Sequence, residues 1–320
     1  MSVLVFAESP EGKCKKVAFE AVSYARKTAD LLQTNCIALT LGSPDNASDL
    51  GKYGAKEVKN IPNVPEHLDG AIYAKAIAGA VRKTGATVLI LSHSSTGKSI
   101  AGRLAVKLEA GYVANVNGLP MIENGFEVNS VAFSGKATAT YAMESDIKML
   151  SLMSNSFQVE VSGEVLDVDT IEMDLPTSEL EITDVKKQEG AVPLPEAELV
   201  VSGGRGFKGP ENWQILLDLA DALSAATACS RPVADSEWRP HHEHVGQTGV
   251  TIRPNLYIAI GISGAIQHLG GVNNSHCIVV VNKDPEAPFF KAADYGVVGD
   301  LFDVVPRLTE SVKKYKASHG

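Results

Sequence analysis

Cysteine is scarce and unpatterned. Cys14, Cys36, Cys229 and Cys277 are the four cysteines in 320 residues, and no two form a C-x-x-C pair. That usage excludes a disulfide scaffold and a zinc ribbon, and it fits a reducing compartment where a thiol packs as a small hydrophobe. Positive charge is also short: 29 Lys and Arg against 38 Asp and Glu give a formal net charge of -9, with acidic residues dense from Glu160 to Glu189. Without a basic face a polyanion has nothing to bind, so nucleic acid is not an expected partner. No apolar run is long enough to cross a bilayer, and Met1 leads straight into a strand-like stretch with no basic leader and no Arg/Ser-rich transit helix. The expectation is a cytoplasmic bacterial protein, or a mitochondrial matrix protein if the chain is processed, without direct membrane insertion.

What is present is a chain long enough for two cores, with a hydrophobic fraction of 44%. The first half alternates strand-like runs (residues 3–7, 36–41 and 88–92) with amphipathic stretches (17–32, 72–81 and 100–108). Such alternation builds a mostly parallel sheet covered by helices. Residues 126–133, 137–142 and 148–152 read as extended, and they are expected as antiparallel strands at the sheet's edge. Charges, Gly190 and the prolines Pro193 and Pro195 mark residues 185–197 as a linker between domains at 1–184 and 198–320. The first domain is expected to serve as a scaffold and partner-contact surface.

The second half is organised around GGRGFKG at residues 203–209, which follows an apolar run and precedes a pattern placing Leu216, Leu219, Ala220 and Leu223 on one helix face. Gly204, Gly206 and Gly209 satisfy G-x-G-x-x-G, the spacing of a strand-turn-helix anion cradle. An NAD site wants an acidic residue about 20 positions on, to hold the ribose. Here the next strand ends in Ser230-Arg231, which suits a phosphate or an electron-rich ring, so an NAD(P)-dependent oxidoreductase stays open as an alternative. A second glycine turn, GISGAIQH at 261–268, can offer further amides, and two cradles suit a diphosphate. Strand alternation resumes at 256–260, 277–281 and 296–298. The strand ends at Arg205, Arg231, Ser263, Asn282 and Asp300 should converge on one crevice.

Other motifs are weaker. SHSSTGKS at 92–99 ends like a P-loop, but Ser92 stands where the first glycine belongs, so a plain strand-to-helix turn with Lys98 exposed is expected. His93 reads as a hydrogen-bonded turn residue. Ser263 sits in G-x-S-x-A, not the G-x-S-x-G of a nucleophile elbow, and has no partner set. His241-His-Glu-His244 could suggest a metal, yet consecutive residues cannot all reach one ion without strain, so a solvated loop is expected. The VGQTG that follows, with glycine, an amide and a hydroxyl before a strand, suits ligand contact.

Together these stretches resemble the electron transfer flavoprotein family, in its alpha subunit. The matching text is VVSGGRGFKGPENW, LADALSAATACSRPVAD, VGQTG, LYIAIGISGAIQHLGG and IVVVNKDPEAPFFKAADYGVVGDLFDVVP. VLVFAE and GRLAVKLEAG match more loosely in the first half, and the His241–His244 loop departs from the pattern. The resemblance implies a doubly wound C-terminal domain binding one FAD, and a heterodimer with a beta subunit that carries AMP or, in electron-bifurcating members, a second FAD. It implies an electron carrier rather than an enzyme, serving acyl-CoA or other flavin dehydrogenases in fatty acid beta-oxidation and a membrane quinone oxidoreductase. Carried over residue by residue, the FAD contacts are Arg205, Ser230, Arg231, Val245, Gly246, Gln247, Thr248, Ser263, Gly264, Ala265, Ile266, Gln267, His268, Asn282 and Asp300. Arg231, Thr248 and His268 would tune the ring, Ser263, Gly264 and Arg205 would hold the diphosphate, and Asn282 and Asp300 the adenosine. No metal is implied.

Overall fold

The computed structural model describes residues 2–133, 137–185 and 193–319. Two compact units divide the chain, Met1–Lys187 and Gln188–Gly320. Residues 186–192, the middle of the expected linker, lie outside the described residues. The linker's last part is not free chain: Leu194–Glu196 forms a 3-10 turn, and Leu194 and Ala197 are buried in the core of the second unit.

The first unit runs β1 (Ser2–Phe6), α1 (Lys16–Leu31), β2 (Asn35–Leu41), β3 (Glu57–Ile61), α2 (Gly70–Thr84), β4 (Val88–Ser92), α3 (Ser95–Leu108), β5 (Gly111–Val116), β6 (Glu127–Ala132), β7 (Ala137–Ala142), β8 (Lys148–Leu152) and β9 (Val168–Thr170). Its sheet has the order β7-β6-β5-β8-β4-β1-β2-β3-β9. Strand period two decides what each face touches: Val3 and Val5 pack with Ala18, Ala21 and Tyr24 of α1, while Leu4 and Phe6 pack with Ile77 of α2 and Leu104 of α3. Helix ends are set by local chemistry. Asp69 accepts hydrogen bonds from the amides of Ala71 and Ile72 to start α2, and Gly85 in the left-handed region ends it.

Only part of the expected edge is antiparallel. β6 and β7 pair antiparallel, whereas β8 lies between β4 and β5 and runs parallel to both. Its sequence KMLSL is buried along almost its whole length, which is the mark of an interior parallel strand. The P-loop-like stretch forms an ordinary turn: Ser94 Oγ accepts the Gly97 amide to cap α3, and Lys98 is exposed.

The second unit runs β10 (Leu199–Gly203), α4 (Gln214–Leu223), β11 (Ala226–Cys229), α5 (Arg231–Asp235), β12 (Leu256–Ile260), α6 (Ile266–Val272), β13 (Ile278–Asn282), β14 (Tyr295–Val298) and α7 (Leu301–His319). All strand pairs are parallel, in the order β11-β10-β12-β13-β14. This is a doubly wound sheet. Leu216 and Leu219 of α4 and Val305 of α7 cover one face with Val201 and Ile258, and Val272 and Phe289 cover the other with Tyr257 and Val280. No helix among the described residues is long and apolar enough to cross a membrane.

Candidate functional site

The second sheet changes direction between β10 and β12, because the chain goes to one side for β11 and returns past β10 for β12. A crevice opens beyond the carboxyl ends of strands at such a point. A cleft of about 420 Å³ lies there, lined by Arg205, Ser230, Arg231, Val245, Thr248, Ser263, Ala265, Gln267 and His268 from the expected set. Arg205 and Gly261 also line a second cavity of about 240 Å³, which reaches Asn282 and Asp300. The two cavities therefore adjoin one another along the strand ends, with Arg205 and Gly261 common to both.

The first glycine motif does a different job from the one its spacing suggests. α4 begins only at Gln214, after 3-10 turns at Arg205–Phe207 and Pro210–Asn212, so its free amides are not at the loop. The Gly204 amide donates to the Ile260 carbonyl (2.9 Å) and the Gly206 amide to the Gly261 carbonyl (3.1 Å). A Cβ on Gly204 would stand 2.3 Å from the Gly261 carbonyl oxygen, so these glycines let two loops touch backbone to backbone. The arrangement departs from the dinucleotide fingerprint of an NAD(P) site, whose helix opens directly from the glycine turn. The second glycine turn does present amides: those of Ser263, Gly264, Ala265 and Ile266 meet no protein acceptor among the described residues.

VGQTG is clamped between β11 and α6. The Val245 amide donates to the Cys229 carbonyl (3.1 Å) and the Gln247 amide to the Gln267 carbonyl (2.7 Å). A Cβ at Gly271 would lie 2.5 Å from the Gly246 Cα, so Gly246 is a packing position behind the cleft wall. Gly264 is another: its φ is +82° and a Cβ would meet the Phe289 backbone at 2.6 Å. Gly246, Gln247, Gly264 and Ile266 do not line the cleft. They shape the walls that do.

His268 is buried, and its Nε2 lies 2.8 Å from the hydroxyl of Tyr257, which is itself fully buried. Burial pushes the Tyr257 phenol far up, so it stays protonated, and burial brings the His268 imidazole down to about 4. The hydroxyl thus donates to Nε2 of a neutral ring, leaving the proton on Nδ1. The Val245 backbone opposes the shift, yet Nδ1 has no partner in hydrogen-bonding geometry. A buried donor without an acceptor is costly unless a ligand supplies one.

Arg231 opens α5 with Ser230 before it, and it meets Asp235 at 3.3 Å with both side chains exposed. That pair is weak and leaves the guanidinium available. No carboxylate lines the main cleft among the described residues. Farther along, the Asn282 amide group donates to the Ile262 carbonyl (2.9 Å), and Asp300 accepts the Phe302 amide at the start of α7. Both therefore hold loops as well as lining the smaller cavity.

The His241–His244 loop is not simply solvated. Glu243 is buried and takes a bidentate pair of hydrogen bonds from Arg239, and His244 lines the main cleft. Sequence reasoning missed His244 and Pro232, although each adjoins an expected contact. It also missed Lys208 and Lys283 on the smaller cavity. Among the described residues no group of three or more His, Cys, Asp or Glu side chains is placed to hold a metal ion.

Residues 193–273 match the family described as "Electron transfer flavoprotein FAD-binding domain", and residues 3–178 match "Electron transfer flavoprotein domain". The chain is 40% identical over 98% of its length to the electron transfer flavoprotein subunit alpha of Thermoanaerobacterium thermosaccharolyticum, covering 98% of that protein. It is 35% identical over 98% of its length to the Bacillus subtilis protein of the same name, covering 97% of it. It is 36% identical over 98% of its length to protein FixB of Clostridium saccharobutylicum, covering 96% of it. With a doubly wound sheet, a cationic crevice at its switch point and near full-length similarity, the chain belongs to the electron transfer flavoprotein alpha-subunit family, whose members carry electrons on FAD.

Proposed function

We propose that FAD lies along the crevice, with its flavin in the cleft of Arg231, Thr248 and His268, its diphosphate against Arg205 and the Ser263–Ile266 amides, and its adenosine towards Asn282 and Asp300. The observation that carries this reading is His268 Nδ1, buried in the cleft wall with no partner in good hydrogen-bonding geometry. Bound there, FAD would supply one- and two-electron redox chemistry. The protein's own contribution is electrostatic. Arg231 and the Nδ1–H of His268 favour negative charge in the cleft, and Tyr257 keeps His268 in the tautomer that donates. The free amides and Arg205 suit a diphosphate.

The chain would act as one half of a heterodimer with a beta subunit, accepting electrons from flavin dehydrogenases, among them acyl-CoA dehydrogenases, and releasing them to a quinone oxidoreductase. The test is to purify the chain with its partner subunit, saturate it with FAD, remove the excess and record the visible spectrum. One flavin retained per alpha chain is expected, reducible by an acyl-CoA dehydrogenase with its substrate. A well-folded pair that retains none would overturn the proposal.

A further inference from the structure

The cleft holds a second histidine that the FAD reading leaves without a role. His244 lines the same cleft as Arg231, Thr248 and His268. Its main chain is fixed: it bridges to Cys229, continuing the sheet past β11, and its carbonyl accepts the Val250 amide at 2.8 Å. Its ring lies between two glycines. A Cβ on Gly249 would stand 2.8 Å from the His244 Nδ1, and one on Gly246 would stand 3.3 Å from its Nε2. The glycines of VGQTG therefore leave a niche that an imidazole fills.

The two cleft histidines are held differently. His268 is 6% exposed and tied through Nε2 to Tyr257, so taking up a proton means displacing that hydrogen bond inside the core. His244 is only half-buried. The titratable and charged groups around it are Arg231 and Asp235 from α5, His241 from its own turn, His268 from α6 and Cys229 from β11. Cys229 stays a neutral thiol, pushed up to about 12 by burial. Burial lowers the His244 pKa first, Arg231 and His241 lower it further, and Asp235 opposes them. His244 is thus neutral at pH 7, while negative charge added to the cleft would draw a proton to it.

We propose that His244 is the proton-accepting group linked to reduction of the FAD held in this cleft, an inference that rests on the reading above. As one electron from an external one-electron reductant enters the cleft, His244 takes one proton from water. An N–H bond forms on the imidazole as an O–H bond of the solvent breaks, and the net charge of the cleft is unchanged. Arg231 lines the same cleft as a guanidinium, and His244 adds charge only when it is needed.

The test uses the FAD-loaded two-subunit protein with ring-labelled histidine. In wild type, the His244 resonance should titrate at least one pH unit higher after reduction than before, a tenfold or greater gain in proton affinity. The potential for the first electron should depend on pH on either side of about 6.5, the ordinary histidine value. His244→Gln, which keeps a polar side chain without a titrating nitrogen, should flatten that dependence. An unchanged His244 titration on reduction, or equal pH dependence in wild type and His244→Gln, would overturn the inference. If His244→Gln fails to load, the wild-type titration still decides. Wild-type protein without bound flavin would count against the FAD reading instead.

Discussion

Both units open a cleft beyond the carboxyl ends of their strands, and the two clefts carry opposite charge. In the first unit a cavity of about 510 Å³ beyond β1 and β2 is lined by Glu8, Glu11 and Glu66 and by no lysine or arginine among the described residues. In the second, Arg205 and Arg231 face a cleft free of carboxylates. Doubly wound topology supplies the crevice in each case, and the side chains at the strand ends decide what enters. Glu8, moreover, is buried and accepts the Ser94 hydroxyl at 2.6 Å, so it props the cap of α3. Of these two clefts, the charge of the second is the one that suits an anionic dinucleotide.

The largest break in this contrast comes from filling the loop contact. Gly204→Val would drive side-chain carbon into the Gly261 carbonyl and Ile262, destabilising the second unit by about 3 kcal/mol and abolishing flavin retention. Gly42→Val in the first unit meets only Val64 at 3.9 Å, so its cost is the strain of a φ of +80°, about 1–2 kcal/mol, with flavin content unchanged. Chemical unfolding and flavin absorbance measure both. Equal flavin loss in the two variants would mean that the crevice alone does not define the site.

Charge is the next lever. Arg231→Glu should weaken FAD binding roughly 30–100-fold, about 2–3 kcal/mol, in an equilibrium titration. Glu8→Gln, which removes one of the three carboxylates lining the opposite cleft, should leave FAD affinity as it was. Wild-type affinity in Arg231→Glu would remove the electrostatic argument.

Acid sharpens the comparison further, since each unit holds a histidine with a pKa lowered to about 4: half-buried His93, lowered by desolvation and Lys98, and buried His268, lowered by desolvation and His244. The folded-state value lies below the unfolded one of about 6.5, so the unfolded chain binds more protons between them. Stability is therefore complete above pH 6.5 and falls as pH drops towards 4, by on the order of 1 kcal/mol per pH unit for His268 and less for the more exposed His93. His268→Gln should lessen the fall for the second unit only, with the lowered pKa of His244 left to contribute the remainder. Urea midpoints taken at intervals from pH 7 to pH 4.5 check it.

How much of this could be read from the sequence follows from the range of each interaction. Apolar runs such as LYIAI and IVVVN announce buried strands because their pattern is local. The order of strands is not local, and β8 was misplaced since nothing in KMLSL alone says which neighbours it pairs with. The converging strand ends were legible because parallel topology fixes which ends meet. The glycine loop was misread in one respect: spacing cannot show that the Gly204 and Gly206 amides are taken by Ile260 and Gly261. His244 escaped because its place beside Arg231 depends on its backbone bridge to Cys229, a contact across fourteen intervening positions.

The smallest effect concerns two tyrosines, one tied through Ser151 to His93 and one tied directly to His268. In the first unit the Tyr112 hydroxyl lies 2.8 Å from Ser151 Oγ, which lies 2.8 Å from His93 Nδ1 and also accepts the Asn115 amide at 3.2 Å. That network braces the irregular pairing of β5 with β8 between Val113 and Val116. In the second unit Tyr257 reaches His268 directly. Tyr112→Phe and Tyr257→Phe should each cost about 1 kcal/mol of stability, the usual net worth of one hydrogen bond. Only Tyr257→Phe should also lower FAD affinity, by a few-fold, because His268 then loses the partner that leaves its proton on Nδ1. A calorimetric titration of the two variants separates a hydrogen bond that holds the fold from one that also prepares the site, and equal affinities would place Tyr257 with the first kind.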